Sequence, residues 1–266
     1  MTSARPVRLR TVALPIEHGA WGFLLEPAVL GLLVAASWPG VALVLAALAA
    51  LLLQTPLSIV VADARRGRRY LRTAWAGRFV VGYGAALVAF GSWAVAAHGG
   101  PGLLLPAALA VPLVAVQLAY EARNRPREAV PETAGALAMG SLAACVAVAG
   151  GWSLLPALGL WALLAARTVP AILYVRARLR VERGEAVDVR PSAATHAAAL
   201  GAVVVAAAAG VVSWIAAAPY AVLLVRAVRG LAPYRTPTTA RVVGFREIAF
   251  GLLTAVGVAI GVTWRP

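Results

Sequence analysis

The chain has 266 residues, of which 62% are hydrophobic and 13% are charged, and its mean hydropathy is +0.84. A soluble domain of this size does not have that composition, so we expect a membrane protein. A formal net charge of +14 would favour nucleic acid as the partner of a soluble chain, but here the arginines flank hydrophobic stretches and no nucleic-acid-binding motif accompanies them. The expected partner is therefore membrane lipid, with no nucleic acid and with protein partners left open.

Nine apolar stretches follow one another along the chain, and each is long enough to predict a transmembrane helix, since about 20 mostly apolar residues cross the hydrocarbon core. They lie at residues 16–37, 40–62, 79–97, 102–120, 134–150, 153–175, 193–214, 216–230 and 245–263. The predicted fold is an all-α, polytopic membrane helical bundle. The whole chain, residues 1–266, is expected to form a single integral membrane domain.

The orientation is predicted from the arginines, which supply all 24 basic residues. All of them except Arg167 and Arg265 lie near the N-terminus or in every second connection between spans. Because basic connections remain in the cytoplasm, residues 1–15 are expected to be cytoplasmic and the C-terminus extracytoplasmic, in a bacterial cytoplasmic membrane. The positive charge is expected to face anionic lipid or an anionic ligand.

Two basic connections have arginines at helical spacing, which predicts that the preceding span continues as a helix. The first set is Arg65, Arg68, Arg69 and Arg72, and the second is Arg176, Arg180 and Arg183. Like charges at this spacing repel one another, so each set requires water, acidic partners or an anion nearby. The positive-inside bias alone also explains an arginine in these connections without any ligand.

A few ionisable residues fall inside the spans, where they are costly and face a cavity or a partner. They are Glu17, His18 and Glu26 in the first span, Arg167 in the sixth, and Arg246 and Glu247 at the start of the ninth. We expect a salt bridge between Glu26 and Arg167, with a proton-coupling or catalytic carboxylate as the alternative. His18 is expected either to relay protons or to bond the backbone at a helix end.

No metal site is predicted, because the three histidines, His18, His98 and His196, are assigned to opposite helix ends or separate connections. No H-x-x-x-H or C-x-x-C spacing is present in the sequence. No cofactor is predicted either.

Three segments resemble the signatures of the YwiC-like bacterial membrane proteins. They are L-P-I-E-H-G-A-W-G at residues 14–22 followed by Glu26-Pro27, A-R-T-V-P-A-I-L-Y-V-R-A-R-L-R at residues 166–180, and G-F-R-E-I at residues 244–248. The resemblance is expected to cover nearly the whole chain. It implies a multi-pass membrane protein but assigns no biochemical activity.

A weaker resemblance is to the UbiA-type intramembrane prenyltransferases, which share nine spans and long connections after spans 2, 4, 6 and 8. Those enzymes carry aspartate-rich motifs after spans 2 and 6 that hold magnesium on a prenyl diphosphate. Here only Asp63 remains of the acidic positions, while the segment Y-E-A-R-N-R at residues 120–125 resembles their basic stretch after span 4. One aspartate among arginines is a poor magnesium site, whereas arginine binds phosphate directly.

The leading hypothesis is a prenyltransferase-like arrangement with a cytoplasm-facing, arginine-lined cavity for an anionic lipid or isoprenoid phosphate. The predicted ligand-binding residues are Asp63, Arg65, Arg68, Arg69, Arg123, Asn124, Arg125, Arg167, Tyr174, Arg176, Arg180, Arg246 and Glu247. If the protein is an enzyme, the predicted catalytic residues for proton transfer are Glu17, His18 and Glu26. The alternatives are a transporter with Glu26, Arg167 and Glu247 along its route, and a non-catalytic membrane scaffold.

Overall fold

A computed structural model describes residues 8–15, 18–68, 70–123, 125 and 128–264, and in these ranges the chain is a bundle of α-helices. In chain order the helices are α1 (Leu9–Ala13), α2 (His18–Val34), α3 (Trp38–Arg65), α4 (Leu71–His98), α5 (Leu105–Leu109), α6 (Val111–Ala122), α7 (Ala129–Ala149), α8 (Leu154–Glu182), α9 (Arg190–Ala208), α10 (Ala217–Leu231) and α11 (Ala240–Thr263). Short 3₁₀ turns, Pro101–Leu104 and Trp214–Ala216, precede α5 and α10.

Most of these helices can span a membrane. Within the described ranges seven are long and apolar enough, namely α3, α4, α7, α8, α9, α11 and α10 with its 3₁₀ turn. The segment from Pro101 to Ala122 is bent by 51° next to Pro112, and it makes an eighth span if it crosses as one unit. Helix α2 is a shorter apolar helix. The multi-pass prediction is confirmed; the predicted number of nine spans is not, although each of the nine apolar stretches contains a helix.

The two predicted helix extensions have different outcomes. The first is wrong, because α3 ends at Arg65 and Gly67 adopts φ +62°, a left-handed conformation that glycine reaches without strain. The chain reverses there, and Arg72 at the start of α4 returns to pair with Asp63 at 2.8 Å. The second is confirmed for Arg176 and Arg180, since α8 continues to Glu182 and Arg183 directly follows its end.

Helix α7 lies at the centre of the bundle and packs against α2, α3, α6 and α8. Most of its buried residues are alanine or glycine, which allow neighbouring backbones to approach closely. By contrast, α4 packs mainly on α3 at the edge of the bundle. The tightly packed core of the bundle is therefore formed by α2, α7, α8 and α11.

The contacts between helix ends define two faces of the bundle. At one face the end of α2 meets the end of α7, where Ala35 lies against Gly150. At the other, Arg176 of α8 pairs with Glu132 at the start of α7, and Arg178 bonds the connection before α11. We call this second face the basic end; α8 and α10 end there, and α7, α9 and α11 begin there.

The close approach of α2 and α7 gives a first prediction. A β-carbon at Gly31 would lie 2.7 Å from the Val146 β-carbon and 3.2 Å from the Ala143 carbonyl oxygen. Gly31→Ala should therefore overpack this contact and lower the free energy of unfolding by about 1–3 kcal/mol. The measurement is unfolding of the purified protein in detergent micelles. Gly91→Ala on α4 is the control, since open space surrounds that position and alanine favours the helix; equal losses in both variants would contradict the packing.

Candidate anion-binding cavity and its buried ion pairs

A buried salt bridge joins α2 to α8. Arg167 is 2% exposed and Glu26 is 4% exposed, and the Arg167 Nη1 lies 3.0 Å from the Glu26 Oε1. Gly251 of α11 makes room for this carboxylate, because a β-carbon there would overlap it. The predicted pairing between the first and sixth apolar stretches is confirmed.

Two further residues extend this pair across the bundle. Arg167 Nη2 donates to the Glu247 backbone carbonyl at 2.9 Å and lies 3.7 Å from the Glu247 Oε2. The other carboxylate oxygen of Glu247 accepts a hydrogen bond from Arg226 of α10. Glu26, Arg167, Glu247 and Arg226 thus alternate in sign across four helices, and we call them the ion-pair network. Its two arginines and two glutamates have no net charge.

His196 of α9 adds a fifth helix to this region. Its Nδ1 lies 2.7 Å from the Ser192 carbonyl oxygen, which can only accept, so Nδ1 carries the proton. Its Nε2 lies 3.3 Å from the Arg226 Nη2, which can only donate, so Nε2 is the acceptor. These partners assign His196 as the neutral Nδ1–H tautomer.

A cavity of about 420 Å³ lies beside the network at the basic end. It is formed by α8, α10, α11 and the connection between α10 and α11. Five of its described lining residues are arginines: Arg178, Arg226, Arg229, Arg235 and Arg246. Among the described residues Glu247 is the one carboxylate that lines it, and the remaining lining side chains include hydroxyls and the apolar Val243 and Phe250.

Two of these arginines hold the cavity wall together. Arg178 pairs with Glu182 at 2.7 Å and donates to the Thr236 carbonyl at 2.6 Å. Arg235 donates to the Val181 carbonyl at 3.2 Å and lies 3.6 Å from the same Glu182 carboxylate. These bonds connect the end of α8 to the segment before α11. The guanidinium groups of Arg178 and Arg235 therefore stabilise the cavity wall.

The other three arginines are placed to meet a ligand. Arg229 and Arg246 are exposed at the rim of the cavity. Arg226 lies deeper, with its guanidinium 3.9 Å from the centre of the Tyr174 ring and 5.3 Å from that of Phe250. Its Nε and the Glu247 Oε2 are buried without a hydrogen-bond partner among the described residues, so both have unused bonding capacity.

Some predicted site residues meet in this region and others do not. Glu26, Arg167 and Glu247 belong to the network, and Tyr174 and Arg246 line the cavity. The other described arginines of the predicted site do not line the cavity. They are Arg65, Arg68, Arg123, Arg125, Arg176 and Arg180. Their part in ligand binding stays a prediction.

Several of those arginines form ion pairs with acidic neighbours. Arg125 pairs with Glu128, and Arg176 lies 2.8 Å from Glu132. Arg180 is bonded to Glu185 at 2.7 Å, and this hydrogen bond, with a second from Arg183, holds the pKa of the Glu185 carboxyl below its ordinary value. Acidic partners were one expected way to stabilise the second arginine set.

Asp63, the acidic position that the resemblance to UbiA-type enzymes relates to magnesium, is fully buried, and both of its carboxylate oxygens accept hydrogen bonds. Both of its oxygens accept from Arg72, at 2.8 and 3.3 Å, and Thr73 Oγ1 donates to Oδ2 at 2.6 Å. Within the described ranges no group of three His, Cys, Asp or Glu side chains is placed to hold a metal ion. At Asp63, magnesium would have to displace the hydrogen-bond donors that Arg72 and Thr73 supply.

Three predicted residues, Glu17, Arg69 and Asn124, lie outside the described residues, as does the side chain of His18.

The sequence reasoning missed Arg226 and His196, although both fall inside predicted spans, at 216–230 and 193–214. The rule that selected Arg167, an ionisable residue in an apolar stretch, would have found both. The sequence reasoning also selected Arg176 and Arg180 on α8, which do not line this cavity. Counting in helical steps from Arg167 leads to Tyr174 and Arg178, whereas Arg176 and Arg180 face elsewhere.

The fold and the site define a multi-pass helical membrane protein with an arginine-lined cavity beside a buried ion-pair network. The sequence model of the YwiC-like protein family matches residues 14–148, about half of the chain, and the chain belongs to this family. The match is shorter than expected, since the motifs at 166–180 and 244–248 lie beyond it. No curated protein and no solved structure matches the chain, and the UbiA-type resemblance stays unconfirmed.

The Glu26–Arg167 pair gives a second prediction. Arg167→Met leaves Glu26 buried without its cation, while Glu247 retains Arg226, and this should lower the free energy of unfolding by about 3–5 kcal/mol. Adding Glu26→Gln removes that unpaired charge and should restore part of the loss, so the two effects are not additive. The measurement is unfolding in detergent micelles titrated with sodium dodecyl sulfate. Strictly additive losses would show that the two side chains do not interact.

Proposed function

We propose that this protein binds an anionic ligand of the phosphate or diphosphate class in the arginine-lined cavity. The observation behind the proposal is the imbalance of charge there, with five arginines and one described carboxylate around about 420 Å³. Guanidinium groups bind phosphate oxygens bidentately and remain charged when partly buried. The exposed Arg229 and Arg246 would meet the anion first, and Arg226 would bind it at the floor.

The same cavity favours an amphipathic ligand, such as an anionic lipid or an isoprenoid phosphate. Val243, Ala249 and Phe250 of α11 line it beside the arginines. Helix α11 is a candidate span, so an apolar tail lying along it would enter the hydrocarbon core. The positive-inside rule places the basic end in the cytoplasm, which makes the headgroup region of the inner leaflet of a bacterial cytoplasmic membrane the source of the ligand.

Magnesium-dependent prenyl transfer is not part of the proposal. Glu247 is bound by Arg226 and Asp63 by Arg72 and Thr73, so neither of these two carboxylates is free to hold the metal. The arginines would bind a phosphate directly, and the proposal concerns binding rather than turnover.

The third prediction tests the proposal by native mass spectrometry of protein extracted gently from its own membrane. The wild type should retain a phosphorylated amphiphile, and Arg229→Ala/Arg246→Ala should weaken its binding roughly tenfold, because two exposed charge contacts contribute about 0.7 kcal/mol each. Arg65→Ala/Arg68→Ala is the matched control, because it removes two exposed arginines at the basic end that do not line the cavity.

The two pairs of substitutions separate the possible sites. Loss of the bound amphiphile from Arg229→Ala/Arg246→Ala alone supports binding in the cavity. Loss of the amphiphile from Arg65→Ala/Arg68→Ala alone would place the binding site at the end of α3. Equal retention by both variants would show that these arginines do not bind the amphiphile and serve only to orient the protein in the membrane.

Transport of the anion is a second candidate function, because the ion-pair network leads from the cavity floor to Glu26 inside the bundle. Charged residues inside spans often mark the route of an ion or a proton. A fourth prediction follows: on this candidate, proteoliposomes should take up the ligand identified by mass spectrometry, and Glu26→Gln should slow uptake without lowering occupancy of the cavity. Binding without uptake in the wild type would reject transport and leave the binding proposal intact.

A further inference from the structure

Glu247 occupies a particular position between the cavity and the interior of the bundle. Its side chain is 15% exposed, lines the cavity and accepts from Arg226, which lines the same cavity. On its other side it lies 3.7 Å from Arg167, which belongs to the interior. The guanidinium of Arg226 is therefore already bound to the Glu247 carboxylate when an anion reaches the cavity floor.

We propose that anion binding in this cavity is coupled to the uptake of one proton, with the anion replacing Glu247 on Arg226 and Glu247 becoming a neutral carboxylic acid. The inference rests on the proposed function and adds a mechanism to it. The proton comes from hydronium or a buffer acid in the water at the basic end, and its bond to that donor breaks as the O–H bond of the Glu247 carboxylic acid forms. No other covalent bond is made or broken.

The charges around Glu247 account for this coupling. Arg226 faces it from α10 and Arg167 from α8, while Glu26 of α2 competes for Arg167 at the shorter distance of 3.0 Å against 3.7 Å. Once the anion holds Arg226, one arginine remains for two carboxylates. Glu247 has the longer contact, and an unpaired carboxylate inside a bundle in the membrane binds a proton because its charge is poorly solvated.

The other charged or titratable groups nearby do not offer Glu247 a replacement cation. Arg246 precedes it on α11 but is exposed at the rim, and Arg178 of α8 is bound to Glu182. Tyr174 presents its ring to Arg226, and Tyr220 of α10 donates its hydroxyl to the Leu163 carbonyl at 2.6 Å.

Glu26 of α2 and His196 of α9 are the other described groups placed to accept the proton. Glu26 keeps the shorter contact with Arg167, at 3.0 Å. The His196 Nε2 faces Arg226 at 3.3 Å and is released when Arg226 turns to the anion. His196 is neutral, however, so it does not carry the uncompensated negative charge that drives proton uptake. Substitution of Glu247 and of His196 distinguishes these two acceptors.

The test is isothermal titration calorimetry of the full-length protein in detergent with inorganic sulfate, whose charge does not change near neutral pH. Titrations at one pH in two buffers of different ionisation enthalpy count the protons taken up. About one proton per sulfate is expected, and the affinity should fall about tenfold per pH unit where uptake is complete. Sulfate binding by the wild type without proton uptake would overturn the coupling but not the cavity.

The variants assign the acceptor. Glu247→Gln should bind sulfate more tightly, since the competing charge is gone, and with no proton uptake. His196→Gln should retain uptake of about one proton. Uptake that persists in Glu247→Gln, or that disappears only in His196→Gln, would overturn the assignment to Glu247. The wild-type titration tests the coupling of sulfate binding to proton uptake without either variant. If the folded wild type binds no sulfate, that result counts against anion binding in the cavity itself.

Discussion

An arginine inside a hydrocarbon bundle must have a partner for its charge, and this requirement determines how the polar part of the structure is arranged. Arg167 lies 2% exposed in the middle of α8, so α2 brings Glu26 to it and α11 brings Glu247. Glu247 in turn binds Arg226 of α10, and Arg226 bonds His196 of α9. Arg167 and Arg226 thereby link five helices, α2, α8, α9, α10 and α11. The cavity lies where this arrangement reaches the basic end.

Much of the fold follows from hydropathy and charge, because both are local properties of the chain. Each apolar stretch contains a helix, and the pairing of Glu26 with Arg167 followed from their opposite signs inside apolar segments. The end of α3 was missed because a helical spacing of arginines outweighed Gly67, whose left-handed φ ends the helix. The number of nine spans is not confirmed, because in the described residues α2 is short and the fourth stretch is bent beside Pro112.

The site was harder to predict than the fold, since it depends on which helices are neighbours. The sequence indicated an arginine-lined cavity but could not show which basic connections meet. Packing brings the end of α8 to the connection between α10 and α11, so Arg178, Arg226 and Arg235 line the cavity while Arg176 turns to Glu132. The resulting site has three arginines open to a ligand and two fixed to the backbone, which is the basis for proposing direct anion binding. Its contact with Glu247 is the basis for coupling that binding to a proton.

The central claim is the position of the anion, and the most direct measurement is a crystal structure of the protein grown with selenate, an anion whose anomalous scattering locates it without reference to the protein phases. The account predicts a selenium peak within hydrogen-bonding distance of Arg226, with Arg229 or Arg246 as a second contact and Glu247 turned away from Arg226. A peak at the end of α3 beside Arg65 and Arg68, with the cavity empty and Glu247 still bound to Arg226, would contradict it.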